Sequence, residues 1–306
     1  MKTQSGRNWC GSFPAIVTPF TIDGDIDELS LRENIRLVVQ EGSHGIVVAG
    51  HNGEAHLMSS AERARVINIA VEEISGRIPV IAGTGGIATA EVIENSKIAA
   101  AAGVDGVMIE PPYFMRPIRS DLVEHFTRVA DALDLPIMAY NNPARAQVDL
   151  TPEIVCELMA VARVSAIKDS LGDFTRIVQL LHTAGPELAV FVGPSRLFGY
   201  AGVTIGAAGF VDGLQQVAGP MAAELYNLAK AGDRERGLEV QRQLFLLGDA
   251  LFHSAGTSPA TIKDAMRFLG RPGGLPRAPL RAMQGADLEA FTAKLRAIGF
   301  APRVAA

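Results

Sequence analysis

The sequence is poor in the residues that build disulfide-rich, metal-binding and membrane proteins. Its two cysteines, Cys10 and Cys156, lie far apart, which excludes a disulfide framework and a cysteine metal site. No uninterrupted apolar run reaches the ~18 residues of a membrane span, and residues 1–12 lack the apolar core of a signal peptide. The six histidines show no ligand spacing such as H-x-x-x-H. We therefore expect a soluble, cytoplasmic protein without a bound metal.

Positive charge is also in short supply. The chain has 28 Lys and Arg against 33 Asp and Glu, a net charge of −5, and no basic run stands out. Neither a nucleic acid nor an anionic membrane is therefore an expected partner. Hydrophobic residues, by contrast, make up 48% of the 306 residues, which is enough for a sizeable core.

Short apolar runs alternate with longer amphipathic segments along most of the chain. The runs are rich in Val and Ile and continuously apolar, as expected of parallel strands that are buried on both faces. The strand candidates are 13–20, 45–50, 79–85, 106–112, 136–142, 164–170, 188–195 and 207–213. The helix candidates between and after them are 27–42, 59–76, 89–102, 120–133, 151–162, 173–184, 196–203 and 219–231.

Eight strand–helix units in series predict an α/β fold of the (β/α)₈ TIM barrel type. An open doubly wound sheet is the alternative, although the G-x-G-x-x-G of dinucleotide-binding sheets does not follow the first strand. Beyond residue 231 the strand pattern stops and three helical segments follow, at 233–252, 258–269 and 287–298. We therefore expect a barrel catalytic domain at 1–231 and a C-terminal helical region at 232–306 that packs on it.

Lys168 is the most informative residue. It is the only one of six lysines that lies inside an apolar strand candidate, whereas the other five lie in helical or terminal segments where a solvated charge is expected. Burial disfavours the ammonium and leaves more free amine at neutral pH, which a Schiff-base nucleophile needs. The alternative is a structural lysine paired with Asp169 or another carboxylate of the barrel.

Tyr140 and Arg145 follow the preceding strand, in the segment YNNPAR. Adjacent barrel strands place Tyr140 near Lys168, where a phenol could relay protons to an imine. Arg145 could bind a carboxylate through a two-point contact. A packed tyrosine beside an Asn-Pro turn with an exposed arginine is the alternative.

The segment Gly50-His51-Asn52-Gly53-Glu54 ends the second strand. Small residues there let backbone N–H groups approach an anion. His51 is the only histidine at such a strand end, although a hydrogen-bonded structural role is the alternative. The GTGG of residues 83–86 is similar to a phosphate-binding turn, but a short glycine cluster more often forms a tight turn.

Together these motifs resemble the dihydrodipicolinate synthase/N-acetylneuraminate lyase family of Schiff-base pyruvate aldolases. They occur in order along most of the chain. They are PAIVTPF at 14–20, G-x-x-G-E at 50–54, AGTGG with Thr89 at 82–89, PPY at 111–113, Y-N-x-P-x-R at 140–145, IKDS at 167–170, G-x-x-G at 206–209 and P-x-x-x-K at 259–263.

The resemblance implies a TIM barrel with a C-terminal helical region, assembled as a homotetramer. It implies Lys168 as the Schiff-base lysine and Tyr140 as the proton-relay tyrosine. Gly50, Asn52 and Gly53 match the loop that receives the carboxylate of pyruvate. Arg145 matches an arginine for the carboxylate of a second substrate, and Val211 matches a residue that lines the pocket with its backbone carbonyl. The protonated imine is the electron sink, so neither a metal nor an organic cofactor is implied.

The chain departs from the family pattern at the proton relay. His51 and Asn52 replace two hydroxyl residues of the family loop, and Phe114 replaces a tyrosine that a neighbouring subunit supplies. Either the imidazole of His51 or water must then handle protons next to Tyr140. If His51 is the base, we expect an acid limb in the activity with an apparent pKa between about 5.5 and 7.5.

The sequence therefore predicts a lyase that forms a Schiff base with pyruvate or another 2-oxo acid. A synthase-like condensation, the cleavage of a sugar-derived 2-oxo acid, and a dehydratase or deaminase reaction all stay open. An alternative from another class is a catalytically silent barrel that binds or senses 2-oxo acids. The retention of both Lys168 and Tyr140 argues against it, because binding alone requires neither an imine nor a relay.

Overall fold

The computed structural model of the protein describes residues 6–302, which form eight strands and twelve α-helices. The strands are β1 Gly11–Pro14, β2 Ile46–Val48, β3 Val80–Gly83, β4 Gly106–Ile109, β5 Ile137–Asn141, β6 Val164–Asp169, β7 Ala189–Val192 and β8 Gly209–Asp212. The helices are α1 Glu28–Gln40, α2 Ser60–Ile74, α3 Thr89–Ala102, α4 Arg119–Asp131, α5 Pro143–Ala146, α6 Pro152–Val161, α7 Phe174–Ala184, α8 Ser195–Thr204, α9 Gln215–Ala231, α10 Arg234–Phe252, α11 Ser258–Phe268 and α12 Gly285–Ala297.

The eight strands form one parallel sheet in the order β1-β8-β7-β6-β5-β4-β3-β2. A parallel bridge between Ala15 and Val47 joins the two ends, and the N–H of Ile16 donates to the carbonyl of Val47 at 2.8 Å. The sheet is thus a nearly closed barrel with helices between successive strands. The predicted (β/α)₈ fold is confirmed, and the open sheet is wrong.

Side chains from all eight strands fill the interior of the barrel. Strand side chains alternate in direction, so every second residue points inward. Inward-pointing residues form one fully buried cluster that includes the aromatic rings of Phe13, Tyr140 and Phe191. A second and larger cluster packs the outer strand faces against the helices. The interior is therefore packed, and space for a ligand remains at the carboxyl ends of the strands.

Local signals set several helix boundaries as the sequence predicts. Ser59 and Glu62 form a reciprocal capping box at the start of α2. Thr151 caps α6 with Pro152 in the first turn, and α3 ends at Gly103 in the left-handed conformation. The start of α9 differs from the prediction: it begins at Gln215 rather than at 219, with a kink at Ala218.

The last three helices pack on the barrel. Helix α10 lies against α8 and α9, and α11 contacts α9. The Gly/Pro-rich joint at 271–280 also contacts the barrel, since Leu275 forms a bridge with Phe20. Within residues 6–302, none of the helices combines the length and apolar character needed to cross a membrane.

Candidate functional site

Two adjoining cavities open at the carboxyl ends of the strands. The lysine cavity, about 220 Å³, is lined by Lys168 and by Asn52, Ser170, Arg196 and Asp212, among others. The glutamate cavity, about 210 Å³, is lined by Glu110 and by His56, Arg63 and Tyr113, among others. The two cavities share a wall that consists of His51, Tyr140, Asn142 and Arg145.

Lys168 and Tyr140 are register partners on adjacent strands. Both are buried, and the Lys168 Nζ lies 4.1 Å from the centre of the Tyr140 ring. Within residues 6–302 Lys168 forms no ion pair. Asp169 instead accepts hydrogen bonds from Asn141 and from the backbone N–H of Leu171, at 2.7 and 3.0 Å. The structural pairing of Lys168 with Asp169 is therefore absent, and the amine faces the cavity without a counter-ion.

The hydroxyl of Tyr140 has a fixed neighbour. The side-chain amide of Asn142 donates a hydrogen bond to the phenol oxygen at 2.9 Å. Because the oxygen accepts this bond, the phenol proton stays free to point into the cavity. Sequence reasoning did not single out Asn142, although its place two residues after Tyr140 puts it on the same side of the chain.

The segment 50–54 forms a tight turn shortly after β2, at the carboxyl ends of the strands. The carbonyl of Gly50 accepts hydrogen bonds from the N–H groups of Gly53 and Ala55, at 3.1 and 3.3 Å. Within the described residues, the backbone N–H groups of His51 and Asn52 have no acceptor. Two consecutive amides without an acceptor are available to bind an anion. The Asn52 side chain is buried beside Gly213. A larger residue at position 213 would displace the Asn52 side chain.

Glu54 and Lys263 form a buried ion pair behind this turn. Lys263 also donates to the carbonyl of Leu275 at 2.9 Å, and Glu54 accepts from the backbone N–H of Arg277 at 2.8 Å. Burial lowers the pKa of Lys263 to about 8. The expectation that all lysines except Lys168 are solvated is therefore wrong for Lys263. An amphipathic helix pattern does not reveal a partner 209 residues away.

His51 lies in the wall shared by the two cavities. Its ring stacks on that of His56 with 5.6 Å between the ring centres, and its Nε2 is buried without a hydrogen-bond partner. Burial, together with the positive charges of Arg145 and Lys168, lowers the pKa of His51 to about 3. A neutral imidazole at pH 5.5–7.5 argues against an acid limb from His51 in that range, and the acid limb stays a prediction.

Arg145 and Val211 occupy different levels of the site. Arg145 is exposed on the one-turn helix α5, where the sequence suggested a plain turn, and its side chain lines both cavities. Val211 is fully buried in the barrel interior, and its strand partner is Phe13. The rim therefore carries a guanidinium and the floor below it is apolar.

The GTGG turn provides space for acidic side chains. A methyl group on Gly85 would overlap the carboxyl of Glu110, and one on Gly86 would press on that of Glu91. Arg63 donates to the carbonyls of Ala55 and Gly85 at 2.9 and 3.1 Å. Glu110, Arg63 and Arg196 were all missed at the sequence level. For Glu110 the available signal was an acid placed directly after a buried strand.

Two further features bear on the sequence-based predictions. Phe114 is 83% exposed, so its ring does not contribute to the site of its own chain. Within residues 6–302, no group of three or more His, Cys, Asp and Glu side chains could hold a metal ion. The prediction that no metal or organic cofactor takes part stays a prediction.

Comparison with known proteins matches the chain to one family. The model of the Dihydrodipicolinate synthetase family matches residues 8–298. A 4-hydroxy-tetrahydrodipicolinate synthase from Methanopyrus kandleri is 33% identical over 95% of this chain and 97% of its own length. An uncharacterised DapA-like lyase from Rhizobium meliloti is 38% identical over 89% and 90%. The crystal structure of a dihydrodipicolinate synthase from Acinetobacter baumannii in complex with pyruvate is 30% identical over 95% and 99%, with a TM-score of 0.90.

Proposed function

The chain belongs to the dihydrodipicolinate synthetase family, and from that premise we propose that it is a lyase that forms a Schiff base with pyruvate or another 2-oxo acid. One observation carries the proposal: Lys168 is a buried amine that faces a cavity without a counter-ion. The Nζ attacks the C2 carbonyl of the substrate after it loses a proton, and no ion pair holds it in the ammonium form. The pyruvate complex of the Acinetobacter baumannii relative supports the substrate class.

The carboxylate of the 2-oxo acid binds at the turn that follows β2. The free amides of His51 and Asn52 and the side chain of Asn52 supply the donors. Gly50 and Gly53 belong to the same turn, and Gly53 lets it pack closely, because a Cβ there would lie 3.1 Å from the carbonyl oxygen of Ile16. The backbone carbonyl of Val211 lines the pocket on the other side.

Tyr140 moves the protons of imine formation. The Nζ of Lys168 adds to C2, and the resulting carbinolamine must lose its oxygen as water. The phenol donates a proton to this leaving oxygen while the C–O bond breaks and the nitrogen lone pair forms the C=N bond. Asn142 orients the phenol by its hydrogen bond to the oxygen. His51, which lies beside Tyr140 in the cavity wall, takes part as a neutral imidazole.

Arg145 binds an anionic group of the second reactant, since its guanidinium faces both cavities from the rim. The reaction that follows the imine is a condensation of the synthase type. The cleavage of a sugar-derived 2-oxo-3-deoxy acid and a dehydratase or deaminase reaction use the same imine and stay alternatives.

The working form is a homotetramer of the dimer-of-dimers type. The apolar side chains of Phe114, Met115 and Ile118 are 83%, 64% and 66% exposed in one short segment, and a second copy can cover them. The barrel at 1–231 is the catalytic domain, and the region at 232–306 contributes Phe252 and Ser258 to the rim of the lysine cavity. The cytoplasmic location stays a prediction.

Borohydride reduction in the presence of pyruvate tests the proposal. The imine is reduced to a stable amine, which adds a pyruvate-derived group that peptide mass mapping locates. We expect the adduct on Lys168. An adduct on Lys263 or Lys97, or no adduct at saturating pyruvate, would contradict the proposal. Binding of pyruvate by calorimetry without any adduct would instead identify a silent binding barrel.

A further inference from the structure

Arg196 has a position in the barrel equivalent to that of Arg145, on the other side of the strand that carries Lys168. Lys168 lies on β6, and its register partners are Tyr140 on β5 and Phe191 on β7. Arg145 comes five residues after Tyr140, and Arg196 comes five residues after Phe191, each in a helix that begins just beyond its strand. Both side chains line the lysine cavity. The two strands that flank β6 therefore each bring a guanidinium group to the cavity that contains the amine.

The Arg196 side chain is held in a defined position by α10. Its aliphatic stem passes over Gly248, where a Cβ would lie 2.2 Å from the Arg196 Cδ. Its guanidinium carbon lies 5.6 Å from the centre of the Phe252 ring. The side-chain amide of Gln241 donates to the carbonyl of Arg196 at 2.7 Å, which fixes the backbone at this position. Because the side chain is already oriented, it loses less freedom when it binds a ligand.

The guanidinium of Arg196 has no anionic partner in the part of the chain that the structure describes. There its side chain forms neither an ion pair nor a hydrogen bond, although the residue is half-buried. Among the described residues, Asp212 is the one acid that lines the lysine cavity. Its two carboxylate oxygens accept hydrogen bonds from the backbone N–H groups of Ser195 and Leu214, both at 2.9 Å. The donors of the guanidinium are therefore available to a ligand.

The charges of the lysine cavity favour a ligand with more than one anionic group. Lys168, Arg145 and Arg196 face the single carboxyl of Asp212 among the lining residues that the structure describes. In the proposed function, the turn at 50–54, which follows β2, receives the C1 carboxylate of the 2-oxo acid. Arg196 follows β7, on a different side of the barrel rim, so it is left for another group of the ligand. A guanidinium pairs best with a planar carboxylate, which it binds through two parallel hydrogen bonds.

We propose that Arg196 determines specificity by binding a second carboxylate, carried by the part of the substrate beyond C3. This inference rests on the proposed Schiff-base function and narrows its substrate class to 2-oxo dicarboxylates attached to Lys168. A 2-oxo acid with a neutral polyhydroxy chain offers the guanidinium no charge and binds less tightly. Among the reactions that stay open, the inference therefore disfavours the cleavage of a sugar-derived acid whose only carboxylate is at C1.

Two five-carbon 2-oxo acids test the inference, because they differ only at C5. 2-Oxoglutarate has a carboxylate there, and 2-oxopentanoate has a methyl group. The extent of borohydride trapping on Lys168 over a range of concentrations gives an apparent dissociation constant for each acid. We expect the wild type to prefer 2-oxoglutarate, and Arg196→Gln to reduce this preference by about 10–100-fold, the scale of a hydrogen bond to a charged group. The preference is a ratio measured on one protein, so a general loss of imine formation cancels.

Three further variants locate the effect in the guanidinium of Arg196. Arg242→Gln is the matched control, because Arg242 is exposed on α10 and does not line the lysine cavity, and it retains the wild-type preference. Arg196→Lys keeps the charge but not the two-point contact, so we expect an intermediate preference. Gly248→Ala keeps Arg196 but displaces its stem, so the preference falls, and adding Arg196→Gln to it produces no further loss.

The outcomes separate this inference from the proposed function. An unchanged preference in Arg196→Gln, or a wild type without any preference, overturns the inference, while trapping with pyruvate on Lys168 upholds the proposed function. A preference that falls in Arg145→Gln but not in Arg196→Gln also overturns it, because the carboxylate then belongs to the other guanidinium. Absence of trapping with pyruvate in the wild type overturns the proposed function itself.

Discussion

Two buried lysines lie on opposite sides of the turn at 50–54, and their surroundings differ in one respect. Lys263 has a carboxylate partner in Glu54 and a carbonyl partner in Leu275. Lys168 is almost equally buried but, among residues 6–302, has neither kind of partner and lies against the face of Tyr140. Burial alone therefore does not make a lysine reactive in this protein. The absence of an ion pair distinguishes the proposed nucleophile from the structural cation.

The turn at 50–54 lies between the surroundings of Lys168 and those of Lys263. Its His51–Asn52 side faces the lysine cavity with free amides, and its Glu54 side is anchored by the ion pair. Glu54 adopts a left-handed backbone conformation, with φ of 56°, which its contacts with Lys263 and Arg277 hold in place. Lys263 thus helps to fix the loop that we propose binds the carboxylate of the substrate.

The largest expected effect concerns Lys168. Lys168→Arg keeps a positive charge, but a guanidinium does not deprotonate near neutral pH and cannot attack a carbonyl. We expect complete loss of borohydride trapping and of the exchange of pyruvate methyl hydrogens for deuterium in D₂O. The circular dichroism spectrum stays like that of the wild type. Lys97→Arg, on the exposed face of α3, is the matched control and keeps both activities. Residual trapping in Lys168→Arg would transfer the nucleophile role to another lysine.

The second prediction concerns Tyr140, whose ring lies against the amine of Lys168. Tyr140→Phe keeps the ring that packs against Lys168 but lacks the proton donor. We expect the rate of imine formation to fall by about 10²–10⁴-fold, the scale of general acid–base catalysis, while the fold is retained. Single-turnover trapping at timed borohydride addition measures this rate. An unchanged rate would remove Tyr140 from the mechanism.

Breaking the buried Glu54–Lys263 ion pair first affects the stability of the protein. Glu54→Gln removes the counter-ion of Lys263, which must then either stay charged without a partner or release its proton, so we expect a loss of about 3–5 kcal/mol in the free energy of unfolding. Denaturant titration measures it. The double variant Glu54→Gln/Lys263→Met removes the stranded charge, and we expect it to be more stable than Glu54→Gln alone. If both variants were equally destabilised, the ion pair would not be the source of the effect.

The smallest effect concerns His51, on the substrate side of the turn. In the folded protein its pKa of about 3 keeps the imidazole neutral, so trapping with pyruvate has no His51 limb between pH 5.5 and 7.5. The unfolded chain takes up this proton near pH 6.5. Stability therefore falls as the pH drops below that value, and His51→Gln makes this fall smaller. An acid limb that disappears in His51→Gln would show a charged imidazole at work.

Local pattern predicted the fold because each strand and helix carries its own signal. The boundaries of β5 and β6 lie within one residue of their predicted segments, and the register then brings Tyr140 beside Lys168. Both residues could be predicted because adjacency of strands follows from the fold class. Arg145 could be predicted for the same reason, as it follows the end of β5.

The sequence did not reveal which side chains are buried by segments that are distant along the chain. Lys263 lies on an amphipathic helix, and only the folded chain shows that its face is covered by the turn at 50–54. Glu110 follows an apolar run and precedes two prolines, so it resembles an ordinary strand end. The position of its carboxyl depends on Gly85, whose missing side chain creates the space for it. Such complementarity between distant segments has no local signature.

The Glu54–Lys263 contact can form only late in the synthesis of the residues that it joins. The two residues are 209 positions apart, and at roughly 5–20 residues per second the ribosome needs roughly 10–40 s to proceed from one to the other. Throughout that time the nascent barrel carries the turn without its anchor. A chain that stops before α11 contains Lys168 and Tyr140 but lacks the cation that holds the carboxylate turn in place. The turn proposed to bind the carboxylate therefore gains its anchor only after α11 has been synthesised.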